Sequence, residues 1–261
     1  MSLLTEPFQK HQQSVRIPLW REAALIREWV QLWAAPVFYG KGIPFGKAQA
    51  VITIPGFMCR DVYTNCLTKW LARIGYRAYP SGLERNNDCI ERSLDRLLQT
   101  IETAATETNG KVHLIGHSLG GLLARIATAR RPEFVASVIT LGSPFRGIRA
   151  HSYVLWLSRR VRQRVQSADV PHCFTGYCDC ASILALQKPW PQQVLNTAIY
   201  TRADGVVDWQ MCVNEDPASN FEVSGTHVGL VFNPDVYRLI AGQLAQANGA
   251  RIAPISQYRD R

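Results

Sequence analysis

The sequence predicts an α/β fold, a mostly parallel central sheet with helices on both faces. Two observations carry this. Short apolar runs of strand length alternate along the chain with longer stretches of helical period. At one strand-to-helix junction stands V-H-L-I-G-H-S-L-G-G-L-L-A-R (112–125), where a single Ser between glycines separates two apolar runs. The length of 261 residues, with 47% hydrophobic side chains, suits one domain, 1–261, with a substantial core.

Residues 1–36 read as an N-terminal arm followed by an amphipathic helix. In the helix, 19–35, Ile26, Trp29, Val30 and Trp33 recur at helical spacing. This stripe is expected to pack on the domain, with membrane contact as the secondary reading. Residues 48–54 form a strand ended by Pro55-Gly56, 62–74 a helix stopped by Gly75, 76–79 a short strand, and 88–108 a long helix with Asp88 as N-cap. A strand over 111–115 and a helix over 119–130 follow, then strands at 135–141, 194–201 and 221–223, and a last helix over 234–247. Strands separated by helices require crossover connections, hence parallel pairing. Residues 146–193 break the rhythm and hold no strong strand. Val154, Leu157, Val161 and Val165 make an apolar stripe there, and Arg159, Arg160, Arg162 and Arg164 crowd the other side. The segment reads as a helical lid or cap insertion, in which Trp156 and Trp190 either pack in the core or line an entrance.

The formal charge of +9 favours acidic partners, anionic membranes included. No nucleic-acid-binding signature accompanies it, so nucleic acid is not an expected partner. The arginine-rich side of the insertion either meets anionic lipid or is simply solvated. The first residues lack the apolar core and cleavage site of a signal peptide. Residues 19–37 carry Arg21, Glu22, Arg27 and Glu28, too many charges for a bilayer span. The expectation is a cytoplasmic chain, with peripheral membrane contact in addition. Of seven Cys, Cys173, Cys178 and Cys180 cluster and Cys212 follows. Small buried side chains are the first reading, a disulfide from the cluster to Cys212 the second. A zinc site is the third, because C-x4-C-x-C departs from the usual paired C-x2-C spacing.

The stretch G-H-S-L-G places Ser118 on a turn so sharp that small residues are needed two positions away on either side, and Gly116 and Gly120 supply them. The turn sets the hydroxyl at a helix N-terminus, where backbone N–H groups can hold an oxyanion. A serine hydroxyl needs a histidine base, and the histidine an orienting carboxylate. Both follow in order, each in a loop after a late strand: Asp204 in R-A-D-G and His227 in S-G-T-H. Asp208 is a rival acid four residues on; Asp204 lies closer to the strand end. His117 adjoins the nucleophile, but its side chain is expected to point elsewhere. The second oxyanion donor, beside the Leu119 N–H, is expected in I-P-G-F-M-C-R-D: the N–H of Phe57 first, with Met58 behind it. Phe57 and Met58 would also line an acyl pocket.

Together G-H-S-L-G-G, P-G-F, L-G-S-P-F-R-G, D-G-V-V and G-T-H-V-G resemble α/β-hydrolases of the bacterial lipase and esterase type, over roughly residues 48–247. Pro55 stands where many of those lipases have His before the oxyanion glycine. The resemblance implies hydrolysis of carboxylic esters, often lipid-like, through an acyl-enzyme on Ser118, with His227 as base and Asp204 as its orienting acid. Such machinery calls for no cofactor and no metal. Small-molecule or lipid esters are the expected substrates. An acyltransferase or a thioesterase would use the same triad. A non-catalytic lipid-binding module on the same fold is the reading from another class.

Overall fold

The computed structural model describes residues 13–165 and 181–249. The strands are β1 (Gln13–Val15), β2 (Ala50–Ile54), β3 (Arg77–Pro80), β4 (Val112–His117), β5 (Val135–Leu141), β6 (Arg149–His151), β7 (Leu195–Tyr200) and β8 (Asn220–Glu222). The helices are α1 (Leu25–Ala34), α2 (Asn65–Arg73), α3 (Ile90–Thr108), α4 (Leu119–Arg130), α5 (Ser152–Val165), α6 (Ala181–Ala185) and α7 (Pro234–Ala247).

Six strands form one sheet in the order β3-β2-β4-β5-β7-β8, every neighbouring pair parallel. Successive residues of a strand point to opposite faces, and the apolar runs fill both. Val51, Ile115, Ile139 and Ile199 meet α2, α7 and the end of α1 in one core. Ile52, Leu114 and Val138 meet α3, α4 and Ala185 in the other. Helices therefore cover both faces, as the alternating pattern predicts. The carboxyl ends of β2, β4, β5, β7 and β8 all emerge on one edge, and the loops that matter leave from there. Among the described residues no helix is long and apolar enough to cross a membrane.

Three expectations need correction. The first concerns the N-terminal helix. It is a 3-10 segment, Leu19–Ala24, followed by α1, and its apolar stripe does not pack on the domain. Ile26, Trp29, Val30 and Trp33 are exposed, while Glu28 and Leu32 are the buried members of α1. The physical reason is that the inward carboxylates are taken up by backbone N–H groups. Second, Cys89, not Asp88, is the N-cap residue of α3, and no side chain caps it. Asp88 Oδ1 accepts instead from the Cys89 N–H at 2.7 Å and from Arg92 Nη2 at 2.7 Å.

The third correction is that the insertion contains a strand: β6 pairs in parallel with β1 of the arm. The start of the insertion is also fastened to the segment after β7. His151 N donates to Val206 O at 2.8 Å, Asp208 N to Arg149 O at 2.8 Å, and Ala150, Leu155, Val207 and Cys212 share a small core. The stripe of α5 is buried or half-buried at Val154, Leu157, Val161 and Val165, and Arg159, Arg160 and Arg164 are exposed. Trp190 is half-buried against the core, its Nε1 donating to Val194 O at 2.7 Å, whereas Trp156 is exposed. The cysteine cluster 173–180 lies outside the described residues; Cys212 carries a free, buried thiol.

One polar group joins the layers. Arg125 on α4 lies between the rings of Phe145 and Trp190, its guanidinium carbon 3.9 and 4.5 Å from their centroids. Its Nη1 donates to Asn196 Oδ1 and Asn214 Oδ1, both at 3.0 Å. It thus links α4 to the start of β7. Arg125→Ala is expected to lower the unfolding free energy by about 3 kcal/mol, from two charge-assisted hydrogen bonds and two ring contacts. Arg125→Lys should recover less than half, since an ammonium cannot stack between two rings. Urea denaturation of the three proteins measures this.

Candidate active site

β4 runs straight into Ser118, whose φ of 52° and ψ of −120° lie in a region costly for a residue with a side chain. The surroundings hold it there. Ser118 N donates to Leu141 O at 2.9 Å and Gly121 N to Ser118 O at 3.0 Å. The start of α4 presses so closely on β2 that a Cβ at Gly120 would overlap the Ile54 carbonyl oxygen. Ser143, from L-G-S-P after β5, donates from Oγ to Gly116 O or Leu141 O, each at 3.4 Å. The paired glycines thus serve close packing, which in turn supports the strained serine.

Asp204 and His227 come together from the loops after β7 and β8. Asp204 Oδ2 accepts from His227 Nδ1 at 2.6 Å, and both residues are buried. Asp204 Oδ1 accepts from Val206 N at 2.8 Å and Val207 N at 2.7 Å, so the carboxylate is fully engaged and fixed. The bond to Nδ1 assigns the proton to that nitrogen and leaves Nε2 as the basic site. Burial alone would lower the imidazole pKa. The Asp204 charge and hydrogen bond, with Glu22 behind them, outweigh burial and raise it above its ordinary value. Asp208, the rival acid, is committed elsewhere: it pairs with Arg149 at 3.0 Å and accepts from Gln210 N at 3.0 Å.

His117 has a role that the sequence did not disclose. Its Nε2 donates to the backbone carbonyl of His227 at 2.9 Å, and the two rings lie 4.8 Å apart. Burial first, and the neighbouring His227 second, push its pKa down to about 3, so it stays neutral. The residue before Ser118 therefore holds the backbone of His227. Tyr63 adds to this, its ring 5.3 Å from that of His117 and its hydroxyl donating to Val228 O at 2.8 Å.

Two carboxylates from the N-terminal segment complete the support, and sequence reasoning missed both. Glu22 Oε1 accepts from Gly205 N at 2.9 Å and His227 N at 3.1 Å, and Oε2 from Val228 N at 2.8 Å. One side chain thus joins the Asp204 loop to the His227 loop. Glu28 Oε1 accepts from Thr226 N and Oε2 from Thr226 Oγ1, each at 2.7 Å. It sits so close to the base loop that a Cβ at Gly229 would collide with its carboxylate. The second glycine of G-T-H-V-G makes room for Glu28. The available signal was two acidic residues, six apart, on the polar side of an amphipathic helix.

The expected oxyanion donors lie at the elbow. A Cβ at Gly56 would stand 3.3 Å from the Ser118 Cβ, which brings Phe57 beside the nucleophile. Met58 N donates to Asn86 O at 2.9 Å and is not available as a donor. The N–H groups of Phe57 and Leu119 take no protein acceptor among the described residues. Within the same residues no group of His, Cys, Asp and Glu has the arrangement of a metal site.

Glu22→Ala is expected to release three N–H groups from a charged acceptor, destabilising the fold by about 3 kcal/mol. It should also broaden or abolish the downfield proton resonance of His227 Nδ1–H. Glu22→Gln should restore part of both. An unaltered Nδ1–H resonance in Glu22→Ala would rule out its positioning role.

The family profile described as alpha/beta hydrolase fold matches residues 81–172. A triacylglycerol lipase of Pseudarthrobacter phenanthrenivorans is 34% identical over 106 residues, 37% of this chain and 33% of the relative. One of Vibrio cholerae is 35% identical over 86 residues, 33% of this chain and 27% of the relative. The chain thus spans about a third of the length of these curated relatives. Among solved structures, a metagenome-derived lipolytic enzyme superposes with a TM-score of 0.55 at 15% identity, over 80% of this chain and 96% of that one. Lipase B of Aspergillus fumigatus gives 0.56 at 18% identity, over 77% of this chain and 54% of that one. The chain has the α/β-hydrolase fold, and its similarities run to lipases and esterases.

Proposed function

We propose that this protein is a serine hydrolase that cleaves carboxylic esters with an acyl, lipid-like moiety through an acyl-enzyme. The observation that carries the reading is the buried Asp204–His227 hydrogen bond of 2.6 Å, formed by loops on the sheet edge from which the strained Ser118 also emerges. The Asp204 and His227 side chains, which have no structural need for one another, are joined by a hydrogen bond on the loop edge that also carries Ser118. His227 Nε2 takes the proton of Ser118 Oγ as that oxygen bonds to the ester carbonyl carbon. The carbonyl oxygen becomes an oxyanion held by the N–H groups of Phe57 and Leu119. As the tetrahedral adduct collapses, the C–O bond to the alcohol breaks and His227 returns the proton to the leaving oxygen. Water, deprotonated by His227, then releases the acid and restores Ser118.

The named activity of the partial relatives, triacylglycerol lipase, supports an acyl ester as substrate. Residues 146–193 act as the lid or cap of the acyl site. The half-buried Phe57 and Met58, in the loop after β2, suit an apolar chain.

Ser118→Ala is expected to reduce p-nitrophenyl ester hydrolysis by at least about 10^4-fold with the fold intact, and to abolish labelling by a fluorophosphonate probe. Undiminished turnover in that variant would overturn the assignment. The pH profile gives a second check. The charged groups facing the imidazole are Asp204 and Glu22, with neutral His117 alongside. The base works deprotonated, so kcat/KM should fall on the acid side through a pKa above about 6.5, the usual histidine value. Asp204→Asn should move that limb to lower pH and cut kcat by about 10^3- to 10^4-fold.

A further inference from the structure

α1 turns to solvent the face that would ordinarily be buried. Trp29 is 46% exposed, Trp33 50%, Val30 58% and Ile26 73%, and Trp20 in the turn before it 76%. These groups are ordered against one another. The Trp29 and Trp33 rings lie 5.3 Å apart, Trp33 stacks on Phe38 at 5.8 Å, and the exposed Tyr39 donates its hydroxyl to Trp33 O at 2.9 Å. A contiguous apolar stripe of this kind marks an interaction surface.

Charge identifies the occupant. Between Trp20 and Lys47 every exposed charged side chain is a cation: Arg21, Arg27, Lys41 and Lys47. The carboxylates of the same stretch, Glu22 and Glu28, face inward on the loop N–H groups. Arg21 and Arg27 make no ion pair among the described residues. With Trp20 they line a groove of about 590 Å³ between the helix and residues 202–203 and 224–226. Exposed tryptophans beside unpaired arginines suit a helix lying in the headgroup region of an anionic bilayer. A second copy of a chain of charge +9 would set cation against cation on this face.

We propose that the outer face of α1 docks the protein on an anionic phospholipid membrane. Trp20, Trp29 and Trp33 enter the headgroup layer, and Arg21 and Arg27 meet lipid phosphates. The inner side of the same helical segment holds the loops of Asp204 and His227, so docking brings the loop edge of the sheet to the lipid surface. This goes beyond the hydrolase reading and does not rest on it.

The test is co-sedimentation of the full chain with sucrose-loaded vesicles of phosphatidylcholine alone or mixed equally with phosphatidylglycerol. Binding is expected to the anionic vesicles and to weaken as salt rises. Trp29→Ser with Trp33→Ser should weaken it about a hundredfold. Arg21→Gln with Arg27→Gln should weaken it roughly 25-fold and remove the preference for anionic lipid. Circular dichroism checks folding, and if the double tryptophan variant unfolds, Val30→Gln on the same face replaces it. Absence of binding by the unaltered chain, or binding unchanged in these variants, would overturn the proposal. So would loss only with Trp156→Ser on α5, or a dimer in light scattering that Trp29→Ser with Trp33→Ser dissolves. Binding is read without turnover, so a failed hydrolase assignment and a failed docking surface give separate results.

Discussion

A single half-buried carboxylate, that of Glu22, holds together what the sheet cannot. The strands β4, β7 and β8 are fixed by ladder hydrogen bonds, but the loops beyond their ends have no ladder. Glu22 supplies the missing connection by accepting from Gly205 in one loop and from His227 and Val228 in another. Glu28 does the same for Thr226. Carboxylates removed from water need hydrogen bonds in return, and backbone N–H groups in loops need acceptors. Each demand meets the other, and the geometry of Asp204 and His227 follows. Burial raises the Glu28 pKa, and the two bonds from Thr226 oppose that rise.

This exchange also explains which parts of the structure could be read from the sequence. The fold was legible because Val51 and Ile52, Leu114 and Ile115, and Val138 and Ile139 are apolar on both sides of their strands, which only a sheet covered on both faces accommodates. Ser118, Asp204 and His227 could be singled out because Ser118 follows β4 directly and the other two lie in the loops after β7 and β8, where turn residues mark the strand ends. Glu22 and Glu28 were not, since their partners lie 205 and 198 residues away and no local pattern signals such a contact. The same omission misdirected the reading of α1. Periodicity separates two faces of a helix without saying which one meets the domain. The usual assumption, apolar side inward, fails when the polar side has loop N–H groups to satisfy. β6 escaped notice because three residues, Arg149–His151, are too few and too polar to show alternation; pairing with β1 creates it.

Strain and support are distributed around the elbow in a similar way. Ser118 keeps an unfavourable backbone conformation because the packing of Gly120 on β2 and the bracing by Ser143 leave no room to relax. His117 extends that rigidity to the backbone of His227. The acid has its own tie: residues 206–208, next to Asp204, are hydrogen-bonded or ion-paired to residues 149–151 of the insertion.

The partners of the N-terminal segment have a consequence for the order in which the protein matures. The elbow and most of the sheet are complete once β7 has joined β5, and these pairings span shorter stretches of chain, as in Val51 with His113 and Ser137 with Leu195. The bonds from Glu22 and Glu28 to the His227 loop close across some two hundred residues, the widest spans in the polar network of the described residues. Closing so long a loop is slow relative to local pairing. On the ribosome, Glu22 and Glu28 emerge well before Thr226 and His227, and must wait for these to be synthesised before they find their donors. A newly made chain would thus carry its elbow and most of its sheet before Glu22 and Glu28 fix the loop of His227.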